Sequence, residues 1–288
     1  MAWLFDGVND FVTMSDDAAE TLPDGDWTLA GWVQVISNAG SQGQYLLSWG
    51  AWNAQPSANL WIYENSHGSA GNIDFRLRDG GGDVFTAASS STPFSGNTSW
   101  THVAIVRAGN AVTVYINASS VSSATNASFD DVNVSGSFLF GIQTGGVEPF
   151  NGCMAEWAFW TRALSTTEID QLYDGGSVAA VALAPSYVPT NLSWYLPMHS
   201  GDYTEKINGL TVTNNGTTGA THPVVRYPLT IPLLSNSPTL NAPSLSASYT
   251  LVAPHLSSSL SLLAPTLAQA AGGQTLEVPL LSVTPSLN

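Results

Sequence analysis

The sequence predicts an all-β chain: a two-sheet antiparallel sandwich with one short helix over residues 1–225, then a β-rich repeat stalk over 226–288. Three observations predict it. Short runs rich in Val, Ile, Phe, Tyr and Trp alternate with Gly, Asn, Asp and Pro turn signals about every eight to twelve residues, the spacing of sandwich strands. Helix signals converge on one stretch only, which begins at Ser165. From Pro228 the composition changes, and prolines at 232, 243, 254 and 265 recur every 11 residues.

Taken in order, Trp3–Phe5 and Phe11–Met14 read as a first strand pair across the turn Asp6–Asp10. An acidic loop with Pro23 and Gly25 leads to a long strand, Trp27–Ile36. Tyr45–Trp49 and Leu60–Tyr63 follow. In Ile73–Arg78 the apolar Ile73, Phe75 and Leu77 alternate with Asp74, Arg76 and Arg78, the pattern of a strand with one wet face. Trp100–Arg107 and Val112–Asn117 flank Ala108-Gly109-Asn110 as a hairpin. Phe138–Ile142 and Cys153–Trp160 are later strands, and Leu192–Leu196 and Leu210–Thr213 complete the sheets. Between them, Ser165-Thr166-Thr167-Glu168 is a capping box, Leu164 and Ile169 stand at hydrophobic-staple positions, and Gly175 stops the helix.

In the tail, Pro279 follows Pro265 after 14 residues; Leu229, Leu240, Leu251, Leu262 and Leu276 stand three before these five prolines, and Leu234, Leu245, Leu256, Leu267 and Leu281 stand two after. A proline in every unit rules out a helical supercoil. Two leucines per unit with one charged residue, Glu277, after Arg226 are a poor fit to a solvated disordered tail. The leucine rows need burial, so the units are expected to stack, trimerise or lie on a partner.

The formal charge is −15 with only 9% charged residues. No basic patch is available to neutralise phosphates or an anionic membrane, and no apolar run is long enough to cross a bilayer. The one cysteine, Cys153, excludes an intrachain disulfide and reads as a buried thiol. The first motif starts at Phe5, which leaves no room for a signal peptide, so assembly in cytoplasm is expected and the sequons at Asn97 and Asn126 read as by-products of composition.

Three segments carry a family resemblance. FNGCMAEWAFWTRALSTTEIDQLYDGG (150–176), FDGVNDFV (5–12) and WTHVA with VTVYIN (100–104 and 112–117) stand in the order of the opening, hairpin and closing motifs of laminin-G-like domains. The chain therefore resembles the laminin-G-like, concanavalin A-like family, and the resemblance implies a two-sheet antiparallel jelly roll with one curved face. Many unrelated jobs sit on this fold. Related domains often hold a structural calcium; the carboxylates of the opening and closing segments, Asp6, Asp10 and Glu156, are the candidate ligands, set against a plain Asx-type turn at Asp6 and Asp10. Trp49, Trp52, Asn53, Trp61 and Tyr63 are the candidate sugar-binding set, because flat aromatics stack on pyranose faces and amides bind hydroxyls; core packing is the competing role for each tryptophan.

No catalytic residue is assigned. Glycosidases of this fold carry paired carboxylates on one strand, and Glu156 has no acidic neighbour at i±2. The five histidines show no paired metal-ligand spacing, and no nucleophile elbow or P-loop is present. The leading expectation is a non-enzymatic structural and adhesion protein of a phage virion, a fibre or capsid decoration, whose lectin-like domain meets a host glycan while the repeat drives homotrimer formation and attachment to other virion proteins. A soluble carbohydrate-binding module with a linker tail is the alternative, and a polysaccharide hydrolase acting through Glu156 the third.

Overall fold

The computed structural model describes residues 2–14, 22–38, 42–51, 56–64, 70–81, 84–89, 93–94, 99–127, 134, 138–176, 181–199, 201–227, 269–270 and 273–274. Fifteen strands of the first compact unit, Met1–Ile231, form two antiparallel sheets. One has the order β10-β9-β8-β3-β12-β1-β15, with β13 also paired to β12. Its members are β1 (Ala2–Asp6), β3 (Trp27–Val35), β8 (Thr101–Ala108), β9 (Ala111–Ile116), β10 (Ser119–Thr125), β12 (Asn151–Trp160), β13 (Leu192–Leu196) and β15 (Thr218–Ala220). The other has the order β14-β2-β11-β4-β5-β6-β7, from β2 (Phe11–Met14), β4 (Gly43–Trp49), β5 (Ser57–Tyr63), β6 (Ile73–Arg78), β7 (Val84–Ala88), β11 (Phe138–Phe140) and β14 (Val212–Asn215). The expected sandwich is therefore present.

Trp3, Phe5, Leu29, Val33, Ile105, Met154, Trp157 and Phe159 of the first sheet meet Val12, Leu47, Trp49, Leu60, Phe75, Phe138 and Phe140 of the second in one continuous apolar core. Each such side chain contributes roughly 1.5–3 kcal/mol on burial, which sets the registers: a slip of one residue would turn the whole row to the outside. Trp157 packs over Gly31, where a Cβ would approach its ring to 2.3 Å. Gly31 is thus required by close approach rather than by its backbone angle.

The one α-helix among the described residues, α1 (Thr166–Asp174), forms as its capping box dictates. Glu168 N donates to Ser165 Oγ at 3.3 Å, and Ser165 N donates to Glu168 Oε2 at 2.8 Å. Arg162 holds the Glu168 carboxylate as an ion pair and draws its pKa down to about 2. Gly175, in the left-handed region at φ 80°, ends the helix. Ile169 and Leu172 pack with Ala30, Ala104, Ala158, Trp160 and Leu164 on the outer face of the first sheet. Small residues on β3, β8 and β12 leave room for the helix there.

The structure corrects several expectations. The first two strands are not a hairpin pair: β1 lies between β12 and β15, whereas β2 lies between β11 and β14 in the other sheet. The turn at Asp6–Asp10 carries the chain across the sandwich. The polar face of β6 is wet only in part: Arg76 and Arg78 are partly exposed, but Asp74 is 5% exposed and its cross-strand neighbour is Trp61. Strands β7, β10 and β15 were not foreseen. The described residues of this unit reach Tyr227. The ten leucines of the repeat, Leu229 to Leu281, lie outside the described residues. In the second compact unit, Pro232–Asn288, the described residues form a short antiparallel pair, β16 (Gln269–Ala270) with β17 (Gly273–Gln274).

Candidate functional site

The outer face of the seven-stranded sheet is organised in rows across the strands. One row runs Tyr45–Trp61–Asp74 and the next Ser48–Asn59–Arg76–Thr86. A pocket of about 340 Å³ opens at the first row, lined by Gln42, Gly43, Tyr45, Trp61, Tyr63, Gln143 and Glu148. Tyr45 and Trp61 stack with ring centroids 5.8 Å apart, and Tyr63 stands edge-on to Trp61 at 5.9 Å. Burial raises the pKa of Tyr45 and, with the Asp74 carboxylate, that of Tyr63, so both phenols remain donors at neutral pH. Glu148, in the left-handed region at φ 55°, projects into the pocket, and Gln143 Nε2 donates to its Oε2 at 3.5 Å. Burial and the nearby Glu64 carboxylate raise the pKa of Glu148.

Of the five expected sugar-binding residues, Trp61 and Tyr63 line this pocket. Trp49 does not: it is 1% exposed, edge-on to Phe138 at 4.6 Å in the core. The cause is a β-bulge between Tyr45 and Leu47. Strict alternation would put Trp49 on the face of Tyr45, and the extra residue, Leu46, reverses the parity. Trp52 and Asn53 lie outside the described residues. Tyr45, Gln143 and Glu148 had carried no sequence signal, because they come from two separated loops and strands.

The expected metal trio does not assemble. Asp6 Oδ1 accepts from Val8 N and Asn9 N, and Asp10 Oδ2 accepts from Asp6 N, so the opening carboxylates make an Asx turn. Asp6 pairs with Asn151 on β12, and Glu156 lies five residues further along, roughly 15 Å away at the rise of a strand.

Glu156 has other partners. It is the extra residue of a β-bulge in the β12–β3 pairing, 1% exposed and at φ 58°. Tyr195 donates to Oε2 and Tyr227 to Oε1, each at 2.5 Å. His222 Nε2 is 2.9 Å and His199 Nε2 3.5 Å from Oε1. Burial alone would raise the pKa of Glu156; the contacts from His199, His222, Tyr195 and Tyr227 outweigh it and hold the carboxyl below its ordinary value. The group is therefore a carboxylate that accepts from two tyrosine hydroxyls and has two imidazole nitrogens close by. Ligand atoms of Glu156, His199 and His222 all lie within 4.8 Å of one another. No spacing rule could reveal this, since the three come from β12, the end of β13 and the segment after β15.

Other expectations have simple fates. Cys153 is buried, and burial pushes its thiol up to about 11, the state of an inert side chain. His102 is buried beside Trp32, and burial brings it down to about 3, so it is a neutral packing residue. No helix among the described residues is long and apolar enough to cross a membrane.

A family model described as the concanavalin A-like lectin/glucanases superfamily, Laminin_G_3, matches residues 6–170. No curated protein matches the chain. Among solved structures, a heptameric SAP-like pentraxin from Limulus polyphemus is 16% identical at TM-score 0.47, over 74% of this chain and 94% of its own. A botulinum neurotoxin serotype D binding domain is 17% identical at TM-score 0.47, over 59% of this chain and 42% of its own. The binding domain of Paraclostridial Mosquitocidal Protein 1 is 17% identical at TM-score 0.40, over 52% of this chain and 37% of its own. Likeness at this level says nothing of ligand.

Proposed function

The chain belongs to the concanavalin A-like lectin/glucanase superfamily, and on that premise we propose that it binds a carbohydrate, one or two sugar units deep, in the pocket beside Tyr45, Trp61 and Tyr63. The observation that carries the reading is the composition of that pocket. Three aromatic side chains stand beside amides of Gln42 and Gln143 and the carboxylate of Glu148. Aromatic carbon takes the C–H face of a pyranose, while the amides and carboxylate take its hydroxyls, and few precisely placed polar groups among apolar ones are what a small-ligand pocket needs. Its volume falls at the small end of the roughly 300–1,000 Å³ common for such pockets.

The binding is proposed to be non-enzymatic and to serve attachment. The repeat from Leu229 to Leu281 supports a role in assembly, because its paired leucines need a partner surface. A phage fibre or capsid decoration protein, trimeric through that repeat and presenting the lectin-like domain to a host glycan, satisfies both halves of the chain. A glycan array probed with the full chain tests the binding claim. Selective binding that is lost in Tyr63→Ala is the expected result; a flat array would overturn it.

One observation favours a second reading, hydrolysis: the raised pKa of Glu148 beside a second carboxylate, Glu64, is the pairing that separates an acid from a base. Under it, the wild type would release reducing ends from a bound polysaccharide and Glu148→Gln would not. Glu156 is not a candidate for that chemistry on this pocket, since it belongs to the other sheet.

A further inference from the structure

We propose that Glu156, His199 and His222 form a binding site for a divalent transition metal of the zinc class, which fastens the last segment of the sandwich to its central strand. The inference is independent of the sugar pocket. It starts from His222. The Nδ1 of this ring is 2.7 Å from the carbonyl oxygen of Pro223. A carbonyl only accepts, so Nδ1 carries the proton, and in the neutral ring Nε2 presents a lone pair. That buried Nε2 has no aligned hydrogen-bond partner, yet lies 2.9 Å from Glu156 Oε1. Two lone pairs facing each other at this distance repel unless a cation lies between them.

A proton on Nε2 would relieve one pair of atoms. The site offers more than one proton can use. His199 Nε2 is 3.5 Å from the same oxygen, and the Tyr227 hydroxyl is 2.8 Å from that Nε2. Metal–ligand bonds of about 2.0–2.1 Å in a tetrahedron place neighbouring ligand atoms about 3.3 Å apart, and the observed 2.9 and 3.5 Å bracket that edge. Two imidazoles and one carboxylate favour zinc, cobalt or nickel over calcium or magnesium, which prefer oxygen throughout.

The surroundings orient the ligands as metal sites require. The Pro223 carbonyl fixes the tautomer of His222. Tyr195 holds Oε2 and leaves Oε1 toward the histidines. The indole of Trp3, fully buried, donates to the carbonyl of His199 at 2.9 Å. The left-handed backbone of Glu156, at φ 58° in a bulge, turns the carboxylate out of the strand alternation; strained backbone held by its surroundings is a feature of functional positions. The His199 side chain is 34% exposed, which gives an entry path. Tyr227, whose hydroxyl donates to Glu156 Oε1, is itself held by Tyr187, whose hydroxyl donates to the Tyr227 carbonyl at 2.9 Å.

The ligands lie at residues 156, 199 and 222, so bound metal closes two long segments of chain and should stabilise the fold as well as bind. The test uses the full chain, stripped with chelator and titrated with Zn2+ by calorimetry and with Co2+ by visible absorption. One-to-one binding, a Co2+ spectrum of tetrahedral intensity and a higher melting temperature with Zn2+ are expected. His199→Gln, at a partly exposed position, and His222→Gln should each weaken binding at least tenfold and lose the Co2+ bands. Absence of saturable binding in the wild type would overturn the proposal. So would equal binding in both variants, which would assign the metal to other groups of the chain. Circular dichroism of each variant separates loss of the site from loss of the fold, and if His222→Gln unfolds, His199→Gln decides alone.

Discussion

The two sheets present opposite solutions to the same problem, the disposal of an outer face. On the eight-stranded sheet, the small residues Ala30, Ala104 and Ala158 let α1 and the 182–188 segment lie flat and cover it. Polar groups there, such as Thr28, His102 and Glu156, are buried, and each has protein partners or is kept neutral. On the seven-stranded sheet the corresponding rows carry Tyr45, Trp61, Asp74, Ser48, Asn59 and Arg76, and a pocket opens among them. A face covered by a helix converts side chains into stability, whereas the one uncovered by any helix among the described residues keeps a pocket for recognition, although Tyr45 and Trp61 beside it are only 2% and 4% exposed. The same substitution should therefore register mainly in melting temperature on one sheet and mainly in binding on the other.

The largest effect is expected from Trp160→Ala on the covered face. The side chain is fully buried and its Nε1 donates to the Val188 carbonyl at 2.7 Å, so the truncation should cost about 3–5 kcal/mol in denaturant unfolding. Acid should act next. His102 is held neutral by burial, with its pKa lowered from 6.5 to about 3. Between those values the unfolded chain takes up a proton that the folded chain refuses, so this contribution is complete above pH 6.5 and is lost as pH falls. By pH 5 the loss should reach about 2 kcal/mol, at about 1.4 kcal/mol per pH unit, and His102→Gln should flatten that part of the stability profile. Thr28→Val comes third: its buried hydroxyl donates to the Arg162 carbonyl at 2.9 Å and accepts from Leu164 N at 2.8 Å, and chemical denaturation should show a loss of about 1–3 kcal/mol. Ser165→Ala removes the helix cap and should cost about 1 kcal/mol by the same assay. Tyr63→Ala, half-exposed at the pocket, should change stability least and binding most.

The sequence made the local parts of this account legible. The capping box at Ser165–Glu168 and the β8–β9 hairpin need only neighbours in the chain, and both form as read. Strand β10 escaped notice because Ser119–Thr125 is mostly polar and partly exposed, with no apolar alternation to betray it. Two bulges break the strand alternation where no sequence signal marks them: one turns Trp49 into the core, the other turns Glu156 out of line. Trp61 and Tyr63 were legible as aromatics clustered with amides, and the unbroken pairing of β5 with β6 puts both on one face. The histidines read as unconnected since 199 and 222 meet Glu156 only through the pairing of β12 with β13 and the return of the chain after β15. Residues brought together by topology alone leave no periodic trace.

The measurement that tests the central claim most directly is a calorimetric titration of one glycan selected on the array, against the wild type, Tyr63→Ala and Ser165→Ala in parallel. The account predicts that Tyr63→Ala weakens binding at least tenfold at an unchanged melting temperature, while Ser165→Ala lowers the melting temperature and leaves affinity as it was. Glycan binding that survives Tyr63→Ala intact would place recognition elsewhere and contradict the assignment of the uncovered face.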